Sequence, residues 1–212
     1  MGEEGEESSA FEDLEALYRE AKELIEELVG ANELEATIRF LAWLNTRVLE
    51  PKGARLIVVG GLAAEIYSGR SYRTLDADVI VEADHQTLDM LRRLLEMLGE
   101  RPSREYLVPG IPKAIDIVST TAKDIVLVEL ETPEGKLYIE SPEDTIATCL
   151  RGWKYWQSTE DRDKALAILM AWKDKLDYNY LQQKTGKDTT LEHLKKLLQL
   201  IHSYNKQTKT NF

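Results

Sequence analysis

LIVVGGLAAEIYSGRSYRTLDADVIVE, residues 56–82, is the stretch whose reading decides the fold. RLIVV (55–59) is a short apolar run, as expected of a buried strand. Gly60-Gly61 break it, and LAAEIYS (62–68) then reads as a short helix. Two glycines let the backbone turn sharply and leave amides open at a helix N-terminus, where a phosphate is favoured. LDADVIVE (75–82) alternates like a strand. Side chains at i and i+2 share a face, so Asp76 and Asp78 stand together, while Leu75, Ala77, Val79 and Val81 point the other way. Paired carboxylates repel one another unless a cation sits between them. Hard oxygen donors at this spacing suit Mg²⁺ or Mn²⁺. A third acid, Asp116, sits alone among apolar residues in AIDIV (114–118), a further expected strand. An unpaired buried carboxylate is costly, and metal coordination would account for it.

Each of these signals has a plainer reading. A D-x-D pair is common on solvated strand faces, a Gly-Gly is an ordinary turn, and a lone Asp is often the partner of an arginine. VVGG is not G-x-G-x-x-G, and no Lys-Ser or Lys-Thr follows it as in a P-loop. The order and spacing of the signals carry the reading, rather than any one of them.

Upstream, Ser9 can cap a helix from about 10 to 29, and Asn32 a second one through about Leu49, with polar Asn45 and Thr46 beside its apolar stripe. Downstream, Asp84 caps a leucine-faced helix to about Leu98, and residues 105–108 form a short strand. IVLVEL (125–130) and KLYIE (136–140) flank a Pro-Glu-Gly turn as a hairpin. SPED (141–144) is a capping box, with Ser141 and Asp144 at the right spacing. From there the chain reads as helices at roughly 142–156, 160–174, 177–185 and 189–203. The expected organisation is a disordered tail over 1–9, an α/β core with N-terminal helices over 10–140, and a helical C-terminal domain over 141–212. The expected fold class is α+β, a small mixed sheet flanked by helices.

The net charge of −11 is unevenly spread. Residues 1–27 hold eleven acids and two bases; residues 184–212 hold six lysines against Asp188 and Glu192. No basic stripe crosses the middle, so extended nucleic acid is not the expected ligand. One cysteine, Cys149, excludes an intramolecular disulfide framework and a Cys-rich zinc site. The acidic start is neither a secretory signal nor a transit peptide, and no apolar run suits a membrane span. The expected home is the reducing cytoplasm. His85, His193 and His202 show no metal-ligand spacing. Trp153, Tyr155 and Trp156 read as packing of the helix that SPED opens, with base stacking the lesser alternative.

The run Gly60, Gly61, Ala63, Gly69, Arg70, Arg73, Thr74, Asp76 and Asp78, with Asp116 on a later strand, resembles the nucleotidyltransferase superfamily of the DNA polymerase β-like fold. It is most similar to the minimal, AbiEii-like branch of prokaryotic proteins, with the signature GG-x-A…GR-x-T-x-D-x-D. The resemblance covers about 55–185 and is loose beyond SPED. It implies transfer of an NMP from an NTP to a hydroxyl of a small molecule, a tRNA end or a protein. Asp76, Asp78 and Asp116 would hold two metal ions, with Asp116 also a general base. Gly60, Gly61, Arg70, Arg73, Thr74 and Lys154 would contact the nucleotide. A protein partner, as in toxin–antitoxin pairs, is also implied; separately, the acidic N-terminal helix offers a face for a partner or a second copy, although amphipathic helices usually pack on their own domain. The chain departs from the pattern in three places. Gly61 stands where many members have Ser, Ser71 and Tyr72 lengthen the spacing, and Cys149 stands where relatives often have Lys, with Arg151 and Lys154 as substitutes. The alternative function is a non-catalytic nucleotide-binding or protein-interaction module on the same fold.

Overall fold

The structure is a computed structural model describing the backbone over 3–210 and the side chains over 13–204 and at 206. The elements follow in chain order: α1 (Glu3–Glu27), α2 (Glu33–Trp43), a π-helical turn (Leu44–Leu49), a 3-10 turn (Glu50–Lys52), β1 (Arg55–Val58), α3 (Gly60–Tyr67), β2 (Asp76–Glu82) and α4 (His85–Leu98). Then come β3 (Glu105–Tyr106), β4 (Ala114–Ser119), β5 (Leu127–Thr132), β6 (Gly135–Glu140), α5 (Pro142–Trp156), α6 (Thr159–Trp172), α7 (Tyr178–Lys187) and α8 (Leu191–Thr210). The class is mixed α+β. Two compact units emerge, one of residues 1–58 and 75–139, the other of 59–74 and 140–212.

The first unit holds a six-stranded sheet of order β3-β4-β2-β1-β6-β5. β1 runs antiparallel to β2 and parallel to β6; β2 runs parallel to β4, which is antiparallel to β3. Alternation in β2 does the work the sequence promised. Ala77, Val79 and Val81 are fully buried, and the residues between them are half-buried. Leu75, expected on that apolar face, is instead 84% exposed. It precedes the strand, and only its carbonyl joins the pairing, accepting from the Ala114 amide. Asp84 caps α4 by accepting from the Thr87 amide, and Leu88, Leu91, Leu94, Leu95 and Leu98 form its buried face. α1 packs against α4 through a face that buries Ala21, Leu24, Ile25 and Leu28. Each such leucine contributes roughly 1.5–3 kcal/mol.

Several boundaries differ from the pattern. Of the tail expected over 1–9, residues 1–2 lie outside the described residues and 3–9 belong to α1, so Ser9 is inside a helix rather than at its cap. Glutamate is a good helix former, and this stretch is rich in it. The second helix changes to a π turn at Leu44, where Asn45 is fully buried. The Asn45 side chain accepts from the Leu56 amide and donates to the Lys136 carbonyl and to Glu50, tying the turn to β1 and β6. β3 is shorter than expected, with Leu107 continuing only as a single bridge to Glu100.

The second unit holds α3 and α5–α8, with α5 packed on α3, α6, α7 and α8. Ser141 caps α5 by accepting from the Asp144 amide, and its hydroxyl donates back to Asp144 Oδ2 at 2.8 Å. Asp144 is 1% exposed and pairs with Lys184 at 2.7 Å, with the Tyr180 hydroxyl donating at 2.9 Å. Asp144 thus closes the start of α5 against α7.

Candidate functional site

The acids lie in the first unit. β2 and β4 pair in parallel with Asp78 opposite Asp116 and Asp76 opposite Ala114. Paired residues on adjacent strands share a face, about 4.8 Å apart. Asp76, Asp78 and Asp116 therefore stand on one face, opposite to buried Ala77 and Val79. β3 adds an acid that the sequence reading missed, because Glu105 pairs with Asp116 on the other side. Nothing local marks Glu105; the antiparallel register of a two-residue strand places it there. Arg104, just before it, brings Nη2 within 3.9 Å of Asp116 Oδ2. This exposed contact is worth well under 1 kcal/mol.

The shared face is not a closed ligand cage. Among the described residues, no three His, Cys, Asp or Glu side chains are gathered so that they could hold a metal ion. The donor chemistry does fit a hard divalent cation, since three carboxylates occupy adjacent positions of one rigid face.

The turn lies in the second unit. Gly60 adopts φ +62°, a left-handed conformation that favours glycine. Val59 gives the start of α3 no side-chain cap; the Gly60 amide instead donates to Glu140 Oε1 at 2.8 Å. A Cβ at Gly61 would lie 2.9 Å from Thr74 Oγ1 and 3.2 Å from Thr74 Cβ. The absence of a serine at 61 thus has a steric reason. Thr74 is held there by its own amide, which donates to Glu65 Oε2 at 3.0 Å, and Glu65 is 2% exposed. The turn is clamped by two buried carboxylates, Glu65 and Glu140, neither of which stood out in the sequence.

Arg70 and Arg73 are exposed on the loop after α3, with Arg70 at φ +67° and its amide donating to the Glu65 carbonyl at 3.2 Å. Tyr72 between them lies under Lys164 of α6, 4.0 Å from ring centre to Nζ. Lys154 goes elsewhere. Its ammonium donates to the Thr189 carbonyl at 2.7 Å and to the Thr189 hydroxyl at 2.6 Å, between α7 and α8. Arg151, the other substitute for the missing lysine, pairs with Asp188 at 3.2 Å in the same loop. Cys149 is buried, and burial first of all pushes its thiol up to about 12, so it is chemically quiet at neutral pH. In the first unit, a groove of about 800 Å³ lined by Leu14, Lys52, His85 and Arg93 among others contains none of the predicted site residues.

No model of a known protein family matches the chain. No curated protein matches it either. Among solved structures, the chain is similar to an antigenic nucleotidyltransferase-like protein from Paracoccidioides brasiliensis, at 18% identity over 80% of this chain and 93% of that one, with a TM-score of 0.56. It is also similar to the antibiotic-resistance factor ANT(2'')-Ia, at 12% identity over 80% and 94% of the two chains, with a TM-score of 0.43. The first likeness carries an argument, and it concerns the fold alone: the chain shares its architecture with that nucleotidyltransferase-like protein. Among the described residues, no helix is long and apolar enough to cross a membrane.

Proposed function

We propose that the chain is a divalent-metal-dependent nucleotidyltransferase, moving an NMP from an NTP such as ATP to a hydroxyl. The observation that supports this most is the register that sets Asp78 beside Asp116, with Asp76 on the same face. Asp76, Asp78 and Asp116 would hold Mg²⁺ or Mn²⁺. Bound there, the ions would lower the pKa of the acceptor hydroxyl and neutralise phosphate charge. Asp116 would take the hydroxyl proton as the acceptor oxygen bonds to the α-phosphorus and pyrophosphate leaves. The Gly60-Gly61 turn would meet the triphosphate with backbone amides other than that of Gly60, which donates to Glu140; Thr74 would meet it with its hydroxyl, and Arg70 and Arg73 with positive charge. Lys154 enters this scheme only if it leaves Thr189. The acceptor would be a small molecule, a tRNA end or a protein side chain. An AbiEii-like setting would add a protein partner, as in a toxin–antitoxin pair, or a second copy, in the cytoplasm.

The test is incubation with Mg²⁺ or Mn²⁺ and each labelled NTP, beside an Asp76→Ala, Asp78→Ala double variant. Turnover by the wild type that the double variant loses supports the reading. Neither binding nor turnover of any NTP refutes it. The second reading, a non-catalytic nucleotide-binding or interaction module, draws on the ungathered acids and the commitment of Lys154 to Thr189. Metal-dependent NTP binding without turnover onto any acceptor hydroxyl would favour it.

A further inference from the structure

We propose that Glu140 is the positioning residue of the Gly60-Gly61 turn, and that nucleotide phosphate bound at this turn is taken up together with a proton on the Glu140 carboxyl. The inference rests on the nucleotide reading above and deepens it.

Glu140 ends β6 and is 4% exposed. Its Oε1 accepts from the Gly60 amide at 2.8 Å and from the Thr145 hydroxyl at 3.3 Å. Its backbone carbonyl accepts from the Tyr67 hydroxyl at 2.9 Å, so both ends of α3 are fastened to one residue. A carboxylate drawn from far along the chain therefore does for α3 what an N-cap side chain does elsewhere. It also fixes Gly60 in its left-handed conformation. The consequence is electrostatic. A phosphate arriving at the same turn meets a negative charge buried beneath it, in surroundings of low dielectric that screen little. The protein relieves the repulsion by protonating the carboxyl.

The groups that face Glu140 set how readily the proton comes. Burial is the main cause that pushes its carboxyl up to about 7, with the charge of Asp144 in the same sense. The Gly60 amide, the Thr145 hydroxyl and Arg151 of α5 pull the other way. From α7, Lys184 is engaged with Asp144. From α6, Asp161 and Lys164 act with Glu140 on Cys149. From α3, Tyr67 is itself held above its ordinary value, chiefly by burial, and stays neutral. Burial thus brings the Glu140 carboxyl, at the foot of the turn, into the neutral range.

The experiment is calorimetric titration with ATP and Mg²⁺ between pH 5.5 and 8.5, in buffers of different ionisation enthalpy so that bound protons are counted. The wild type is expected to take up a proton near pH 7.5. Its affinity should fall with pH above 7, by as much as about tenfold per pH unit. Glu140→Gln keeps an acceptor for the Gly60 amide and has no such proton. It should bind with an affinity flat across pH 7–8.5 and tighter than wild type at pH 8.5. Coincident pH profiles of wild type and Glu140→Gln overturn the proposal while the nucleotide reading stands. Were the variant not to fold, the wild type alone decides, because binding without proton uptake at pH 7.5 overturns it equally. Absence of ATP binding at every pH overturns both.

Discussion

Gly61→Ala replaces one hydrogen with a methyl group, and the surroundings of that methyl set the outcome. Gly61 is in the first turn of α3, where alanine is by propensity better than glycine by up to about 1 kcal/mol. Against this, the new carbon falls 2.9 Å from Thr74 Oγ1, 3.2 Å from its Cβ and 3.6 Å from its Cγ2. Threonine is stiff at χ1, and the Thr74 amide is anchored to buried Glu65, so neither rotation nor retreat is easy. Overpacking of this kind costs about 1–3 kcal/mol. The clash wins, and the variant should be destabilised by about 1–2 kcal/mol, a fall in Tm of roughly 2–8 °C for a chain of this size. Gly186 of α7 supplies the control, since a Cβ there meets nothing within 4 Å. Gly186→Ala should leave Tm unchanged or raise it. In a Thr74→Ala background most of the cost of Gly61→Ala should vanish, a coupling above about 0.5 kcal/mol. Thermal melts of the four proteins, with Gly186→Ala beside them, make the measurement. If Gly61→Ala is as stable as wild type, or costs the same in both backgrounds, the steric account of the Gly-Gly turn is wrong.

Glu140→Gln should change the pH dependence of stability as well as of binding. The folded carboxyl is held above its ordinary value of 4.5, at about 7, so the folded state prefers the proton. That preference stabilises fully below about pH 4.5 and is lost as pH rises through 7. The variant should therefore gain on wild type across this window, by up to about 3 kcal/mol at pH 8, read from urea midpoints. Equal midpoints at pH 5 and pH 8 would remove the buried-carboxylate account. Lys184→Ala removes the ammonium 2.7 Å from the carboxylate of Asp144, which is 1% exposed, and should cost about 2–4 kcal/mol at neutral pH; a loss under 1 kcal/mol in denaturant melts would contradict this. Asn45→Ala takes from the buried Leu56 amide its side-chain acceptor and from the Lys136 carbonyl the shorter of two side-chain donors, leaving it the Thr46 hydroxyl, and should cost about 1–3 kcal/mol, where a surface asparagine would cost almost nothing.

What the sequence settled about this protein is local. The two-residue alternation of β2 put Asp76 and Asp78 on one face because successive side chains on a strand must alternate. The caps at Asn32, Asp84 and Ser141 were legible because an N-cap bonds an amide two or three residues on. The Gly-Gly break between a strand and a helix was legible because glycine takes the left-handed conformation that Gly60 adopts there. Tertiary structure decided everything that depends on partners distant along the chain. The register of β4 on β2 brought Asp116 beside Asp78, and the short β3 added Glu105 beside Asp116. Thr74 filled the space that a serine at 61 would need, and Thr189 took the ammonium of Lys154. Glu65 and Glu140 read in the sequence as ordinary acids of a helix and a strand end. Folding carries each out of water and against one turn, where it is a structural element rather than a surface charge, and burial raises the Glu140 carboxyl well above its ordinary value.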